Sequence, residues 1–375
     1  MSLLQLVQIS NRYGADEEYV LAGGGNTSYK ENDVIYVKGS GTALATIKAE
    51  QFVKMDMLKL SAMLTKEYSQ EDSTREAEAL GDMMAARLLG EENKRPSVEA
   101  ILHAIFPQKF VCHTHPAIVN GLSCGKDGAR DFQSVFGNNA VWVPLTKPGY
   151  ILAAACRDLF DDYKEQTGKH PQIAILQNHG LFIAADSIDE VDLLTGEVIC
   201  KLKHRIVERP DFSDVPFDAV ATRGIALELQ SLYMESGNAC AVFCLNKQTR
   251  EFAKNESTMQ ELIAPFTPDH IVYCKHTPLF LELGANYSEK FNNYFEAYGF
   301  MPKIVAIKEL GFFALGSTEK EADMAKMLFL DAMKVAIYSR SFGGVNPLPD
   351  DYVSFILNWE AESYRQNALL TDTNC

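Results

Sequence analysis

Two stretches of this chain share one local pattern, and few folds accommodate it twice. "PQIAILQNHGLFIAADS" begins at Pro171 and "PKIVAIKELGFFALGST" begins at Pro302. Each reads as a strand, a turn with glycine, a second strand, a capping hydroxyl and a long amphipathic helix. Laid together, His179 meets Leu310 and Gly180 meets Gly311. Upstream, "SVEAILHAIFPQKFVCHTH" (97–115) lies without gaps on "TMQELIAPFTPDHIVYCKH" (258–276). That register sets Glu99 against Gln260, His113 against Cys274 and His115 against His276. The alternative is a pair of unrelated α/β units with the same hydrophobic rhythm.

A length of 375 residues suits two domains. The segment RPDFSDVPFD (209–218), rich in proline and aspartate, reads as the linker between them. The expected domains are therefore 1–208 and 219–375. In the first, helices are predicted over 1–20, 49–66, 72–90, 98–106, 117–123, 150–166 and 187–205, with Ser97 and Ser187 as N-caps. Strands are predicted over 34–38, 110–114, 140–144, 173–177 and 181–185.

Charge narrows the partners. The formal net charge is −15, which argues against sequence-independent binding to nucleic acid or to an anionic membrane. A single anionic substrate is still compatible, because a few local donors hold one phosphate. No apolar run is long enough to span a bilayer, and the N-terminus lacks the basic region and cleavage site of a signal peptide. The eight cysteines form no paired framework and suit buried thiols in a reducing cytoplasm.

His113 and His115 lie two apart on a predicted strand, so both imidazoles face one side. Pro116 ends that strand and leaves the pair at its tip. His179, in an Asn-His-Gly turn, is a third candidate. Three neutral nitrogens with an open position suit a catalytic zinc ion, whereas a lone H-x-H also occurs in ordinary cores. Glu99 sits in the first turn of the helix leading into the histidine strand. It either complements the helix dipole or serves as acid and base beside a metal. Two glycine-rich turns, "LAGGGNTSYK" (21–30) and "KGSGT" (38–42), offer backbone N–H groups and hydroxyls. Each reads either as a flexible hairpin or as an anion nest; neither has the spacing of a dinucleotide fingerprint or a P-loop.

Taken in order, GGGNTS, VKGSG, PSVE, H-x-H and NHG resemble the class II aldolase/adducin family. The wording of "GGGNTSYK", "YVKGSGTALATI" and "PSVEAILHA" is similar to the aldolase half of bifunctional rhamnulose-1-phosphate aldolase/alcohol dehydrogenase proteins. The resemblance covers roughly 1–210 and continues more weakly beyond. It implies a three-layer α/β/α fold with a mixed, mostly antiparallel sheet, followed by a second, smaller α/β domain that reads as a degenerate repeat. It implies Zn2+ held by His113, His115 and His179, with Glu99 as catalytic acid/base. It also implies a substrate phosphate held by Gly25, Asn26, Ser40, Gly41 and Ser97. Val98 departs from the serine that fuculose-phosphate aldolases place there. The tyrosine such aldolases bring from a neighbouring subunit has no clear match, Tyr150 being the nearest candidate.

The implied activity is reversible cleavage of a ketose 1-phosphate, of rhamnulose or fuculose type, to dihydroxyacetone phosphate and an aldehyde. Aldolase chemistry is expected without oxidoreductase activity, because no dehydrogenase fingerprint is present. Epimerisation or dehydration of a sugar phosphate shares the scaffold, and the adducin branch offers a non-catalytic assembly module. A cytoplasmic homo-oligomer is expected. If the repeat holds, Gln260, Cys274 and Leu310 leave the second domain without metal, and His276 is structural.

Overall fold

The structure is a computed structural model that describes residues 2–233 and 239–359, together with Tyr364 and Ala368. The chain divides into two compact units. The first comprises Met1–Ser123, Asp127–Arg205 and Asn358–Cys375; the second comprises Cys124–Lys126 and Ile206–Leu357. Cys375, counted above among the thiols, lies outside the described residues, and the other seven cysteines form no disulfide.

The first unit is built on seven strands: β1 (Asn26–Glu31), β2 (Val34–Lys38), β3 (Phe52–Asp56), β4 (Phe110–Thr114), β5 (Val141–Val143), β6 (Ile173–Leu176) and β7 (Gly180–Ala185). Their order is β3-β2-β1-β4-β7-β6-β5, antiparallel throughout except for the parallel pair β5 and β6. Both faces are covered. On one, Leu102 and Phe106, with Leu152, Cys156 and Phe160 of the helix Tyr150–Thr167, pack on Val111, Leu176, Phe182 and Ala184. On the other lie the helices Ser2–Gly14 and Ile188–Lys203, tied to each other by Arg12 and Asp192 at 2.7 Å. Burying one such large side chain contributes about 2 kcal/mol, so both faces of the sheet hold it in place. This is the expected three-layer, mostly antiparallel arrangement.

Several local expectations change. The segment 49–66 is not one helix: a short turn at Ala49–Gln51 leads into β3 and then the helix Met57–Met63. Phe52, Val53 and Met55 are buried while β3 pairs with β2 along its length, so the sheet outweighs helix propensity there. Asp56 then caps the helix by accepting from the amides of Leu58 and Lys59. The stretch 26–31, read only for its glycines and hydroxyls, is a full strand between β2 and β4. The predicted helices 1–20 and 72–90 end earlier, at Gly14 and Ala85.

The second unit holds β8 (Cys240–Cys244), β9 (Leu279–Leu281), β10 (Ile304–Ile307) and β11 (Gly311–Gly316), ordered β8-β11-β10-β9 with only β9 and β10 parallel. That is the order and direction of β4-β7-β6-β5. Finer features recur as well. Asn178 and Glu309 carry positive φ, 55° and 61°, at equivalent turns. Ser187 accepts from the Glu190 amide and Thr318 from the Glu321 amide, each at 3.2 Å. The repeat is thus present, and the match of 171–187 to 302–318 holds.

The gapless match of 97–115 to 258–276 does not hold. Residues Pro268–Cys274 form a helix capped by Thr267, not a strand. The partner of β4 is β8. Phe182 faces His113 across the sheet, and its counterpart Phe313 faces Phe243. Phe243, Leu245 and Leu310 therefore stand where the first unit has His113, His115 and His179. Gln260 and Cys274 lie elsewhere, in a turn and at a helix end. Among the described residues, no strand of the second sheet corresponds to β1–β3.

Candidate metal centre and active site

The histidines of the sequence pattern converge. Each of His113, His115 and His179 offers one nitrogen, and these nitrogens lie within 4.8 Å of one another. His113 lies one residue before the end of β4 and is fully buried, its ring stacked on Phe182 with centroids 4.0 Å apart. Its Nδ1 donates to the Leu181 carbonyl at 3.0 Å, which leaves Nε2 without a proton. His115 follows the strand, held by its backbone N–H on the Tyr19 carbonyl at 2.8 Å. The two Nε2 atoms are 2.9 Å apart. His179 arrives from the β6–β7 turn.

In that turn the left-handed residue is Asn178. Gly180 is required for space: a Cβ there would stand 2.6 Å from both the Thr114 carbonyl and the His115 ring. The absent side chain lets the turn close against the H-x-H strand.

Glu99 faces the cluster, with Oε1 3.5 Å from His113 Nε2 and 3.4 Å from His179 Nε2. Oε1 is buried and has no hydrogen-bond partner, while Oε2 accepts from Asn26 Nδ2 at 2.5 Å. Burial raises the Glu99 carboxyl, whereas the imidazoles, whenever they carry a second proton, and the Asn26 amide lower it, and the group lies below its ordinary range. Burial also pushes the His113 imidazole well below its ordinary value, against the pull of Glu99. A neutral ring with a bare nitrogen, two more imidazoles and an unpartnered buried carboxylate oxygen form a donor set that fits one divalent cation.

The glycine-rich segments meet beside this cluster. Lys38 is buried, and its ammonium donates to the carbonyls of Gly23 (3.0 Å) and Gly25 (2.9 Å), locking the two segments together. Gly25 has φ +63°, and a Cβ on it would meet the His113 carbonyl at 2.7 Å. Ser40 N–H donates to the Arg95 carbonyl and Ser97 N–H to the Lys38 carbonyl, at 2.8 and 2.9 Å. The segments carrying Ser40, Gly41 and Ser97 are thereby neighbours. Ser97 is also the turn into the helix Ala100–Ile105, its hydroxyl accepting from Glu99 N–H at 3.3 Å. The Asn26 amide, by contrast, is taken up by Glu99 and His103. Tyr150 points its hydroxyl at the Lys66 carbonyl, 3.1 Å away, so that oxygen is engaged outside the cluster.

Sequence reasoning passed over His103. It is fully buried between β1 and Phe182, with Nδ1 2.7 Å from the Ser28 hydroxyl and Nε2 on the Asn26 side-chain oxygen. Its place in "EAILHAI" (99–105), on an apolar helical face, gave no cue beyond that of a core histidine.

Residues 5–197 match the family described as the class II aldolase and adducin N-terminal domain, and residues 223–365 match the class II aldolase second domain. An uncharacterized oxidoreductase, YuxG, of Bacillus subtilis (strain 168) is 23% identical over 407 aligned residues. That alignment covers 96% of this chain and 58% of the relative, so the chain spans just over half of that protein's length. Among solved structures, the N-terminal class II aldolase domain of a conserved Thermoplasma acidophilum protein shows 26% identity and a TM-score of 0.46, covering 54% of this chain and 93% of that one. L-fuculose-1-phosphate aldolase from Thermus thermophilus shows 15% identity and a TM-score of 0.34, covering 54% and 94%. The order of motifs, the strand order that carries them and the match over 5–197 agree: the chain belongs to the class II aldolase and adducin family.

Proposed function

We propose that the first unit is a zinc-dependent aldolase that reversibly cleaves a ketose 1-phosphate, of rhamnulose or fuculose type, to dihydroxyacetone phosphate and an aldehyde. The observation that carries this reading is the buried Glu99 Oε1, unpartnered, within 3.5 Å of imidazole nitrogens on His113 and His179. An assembly module has no use for such a set, since a buried carboxylate oxygen without a hydrogen bond costs stability. His113, His115 and His179 would hold the metal, and the cation supplies Lewis acidity toward the substrate carbonyl.

The chain's own groups do the rest. Gly25 and Asn26 at one turn, Ser40 and Gly41 at the other, and Ser97 between them form the proposed cradle for the phosphate. Backbone amides and hydroxyls serve there, because the Asn26 side chain is already engaged. Glu99 Oε1 is the free oxygen of its carboxylate and the proposed proton carrier. In the synthetic direction it takes the proton from the carbon next to the carbonyl of dihydroxyacetone phosphate. In cleavage it returns a proton to that carbon after the carbon–carbon bond has broken. The protein is proposed to act in the cytoplasm as a homo-oligomer on a small sugar phosphate. No helix among the described residues is long and apolar enough to cross a membrane.

The test is direct. The zinc-loaded protein is incubated separately with fuculose 1-phosphate, rhamnulose 1-phosphate and ribulose 5-phosphate, and dihydroxyacetone phosphate is assayed. Release from one of the first two supports the reading. Interconversion of the pentulose phosphate without release would make the protein an epimerase instead.

A further inference from the structure

Glu99 does not stand alone on its Asn26 side. Asn26 Nδ2 donates to Glu99 Oε2 at 2.5 Å. Its side-chain oxygen meets His103 Nε2, and His103 Nδ1 lies 2.7 Å from the Ser28 hydroxyl. Asn26 is 5% exposed; Ser28 and His103 are fully buried. The directions of these bonds are set by chemistry. An ionised carboxylate only accepts, so the Asn26 NH2 must face Glu99. The Asn26 oxygen then faces His103 and can only accept, so His103 must carry its proton on Nε2. Nδ1 is left as an acceptor, and Ser28 must donate to it. One arrangement of protons satisfies all four residues.

We infer that His103 is a positioning residue: through Asn26 it fixes which oxygen of Glu99 is hydrogen-bonded and keeps Oε1 free beside the imidazoles. This rests on the reading of Glu99 as the proton carrier. Burial supports it, since the His103 imidazole is pushed down to about 3 and stays neutral with a single ring proton. Ser28 takes part without approaching the carboxylate: the hydrogen bond it donates to Nδ1 holds the ring in the orientation that presents Nε2–H to the Asn26 oxygen.

Four variants test this in the zinc-loaded protein, with zinc content and circular dichroism as controls for fold. His103→Leu and Ser28→Ala should each lower kcat about 10- to 100-fold, the usual cost of losing an outer hydrogen bond to a catalytic group, with KM and zinc content unchanged. His103→Gln offers both a donor and an acceptor and should restore activity to within about threefold. In an Asn26→Ala background, His103→Leu should add less than about twofold, because the path through Asn26 is already cut. Full activity in His103→Leu, failure of His103→Gln to rescue, or independent effects of Asn26 and His103 would each overturn the inference. A second readout needs no substrate. Nitrogen-15 spectra of the wild-type imidazoles should show His103 protonated at Nε2, and Ser28→Ala should leave the proton there while shifting the Nδ1 resonance, which loses its hydrogen bond. An Nδ1–H tautomer or an imidazolium in the wild type would also overturn it. If no ketose phosphate is turned over, the functional reading fails, and the spectra still decide the tautomer.

Discussion

Glu99 and the buried histidines carry opposite obligations. The carboxylate must stay ionised and partly unpartnered, and His113 must stay neutral with its lone pair directed inward. Burial keeps the His113 ring neutral, with Nδ1 spent on the Leu181 carbonyl, while the Asn26 amide favours the ionised Glu99 carboxylate against burial. Glu99→Gln keeps the shape and removes the base. It should retain zinc and lose about 10²- to 10⁴-fold in turnover, read from metal content beside kcat. Wild-type turnover in that variant would remove Glu99 from the mechanism. Acid stability follows from His103. Its folded value, about 3, lies below the ordinary histidine value of about 6.5, so the unfolded chain binds this proton more readily. Stability is therefore lost as pH falls from about 6.5 toward 3, by about 2 kcal/mol at pH 5 from this residue alone. Denaturant unfolding of the metal-free protein at pH 7 and pH 5 measures it, and His103→Leu should shrink the difference by about that amount. An unchanged slope in that variant would contradict the assignment. Glu99, His113, His115 and His179 were legible in the sequence because H-x-H and N-H-G are spacings with chemistry in them. His103 was not, since one histidine on an apolar helix face looks the same whether it packs or orients.

Among the elements, the site depends on two strands and a turn that approach closely. β4 presents His113 at its tip, and the β6–β7 turn carries His179 past it. The contact is possible because Gly180 has no side chain. Gly180→Ala forces a methyl against the Thr114 carbonyl and the His115 ring, and overpacking of this kind costs about 1–3 kcal/mol. The variant should bind zinc more weakly than wild type and unfold at lower denaturant. Zinc titration and urea melts measure both; wild-type values in both would show that the approach is not tight. The histidine strand and the N-H-G turn were legible because a short apolar run and the turn residues agreed. β1 and β3 were not. In β1 the run of glycine, asparagine and hydroxyl residues masked a strand whose partners lie on both sides. In β3 a five-residue strand ran directly into a helix with no punctuating glycine or proline.

Among the described residues, one layout occurs twice and the three-histidine cluster once. The second sheet repeats the order of β4-β7-β6-β5, yet Phe243, Leu245 and Leu310 stand where the first unit has His113, His115 and His179. Among the described residues, the sheet in the second unit also lacks the strands that bring Asn26 and Lys38 to the first. His276 is engaged with the Thr277 hydroxyl at 2.5 Å, which suits a structural role. The repeat was legible over 302–318, where both copies fold alike. It was misaligned upstream because a helix in one copy happened to match a strand in the other in hydrophobic content. The consequence is a stoichiometry, and metal analysis of the purified, dialysed protein reads it, beside His179→Ala and Glu99→Gln. One zinc ion per chain is expected, lost in His179→Ala and kept in Glu99→Gln. No retained metal in the wild type, two ions per chain, or full retention in His179→Ala would each refute a single three-histidine centre.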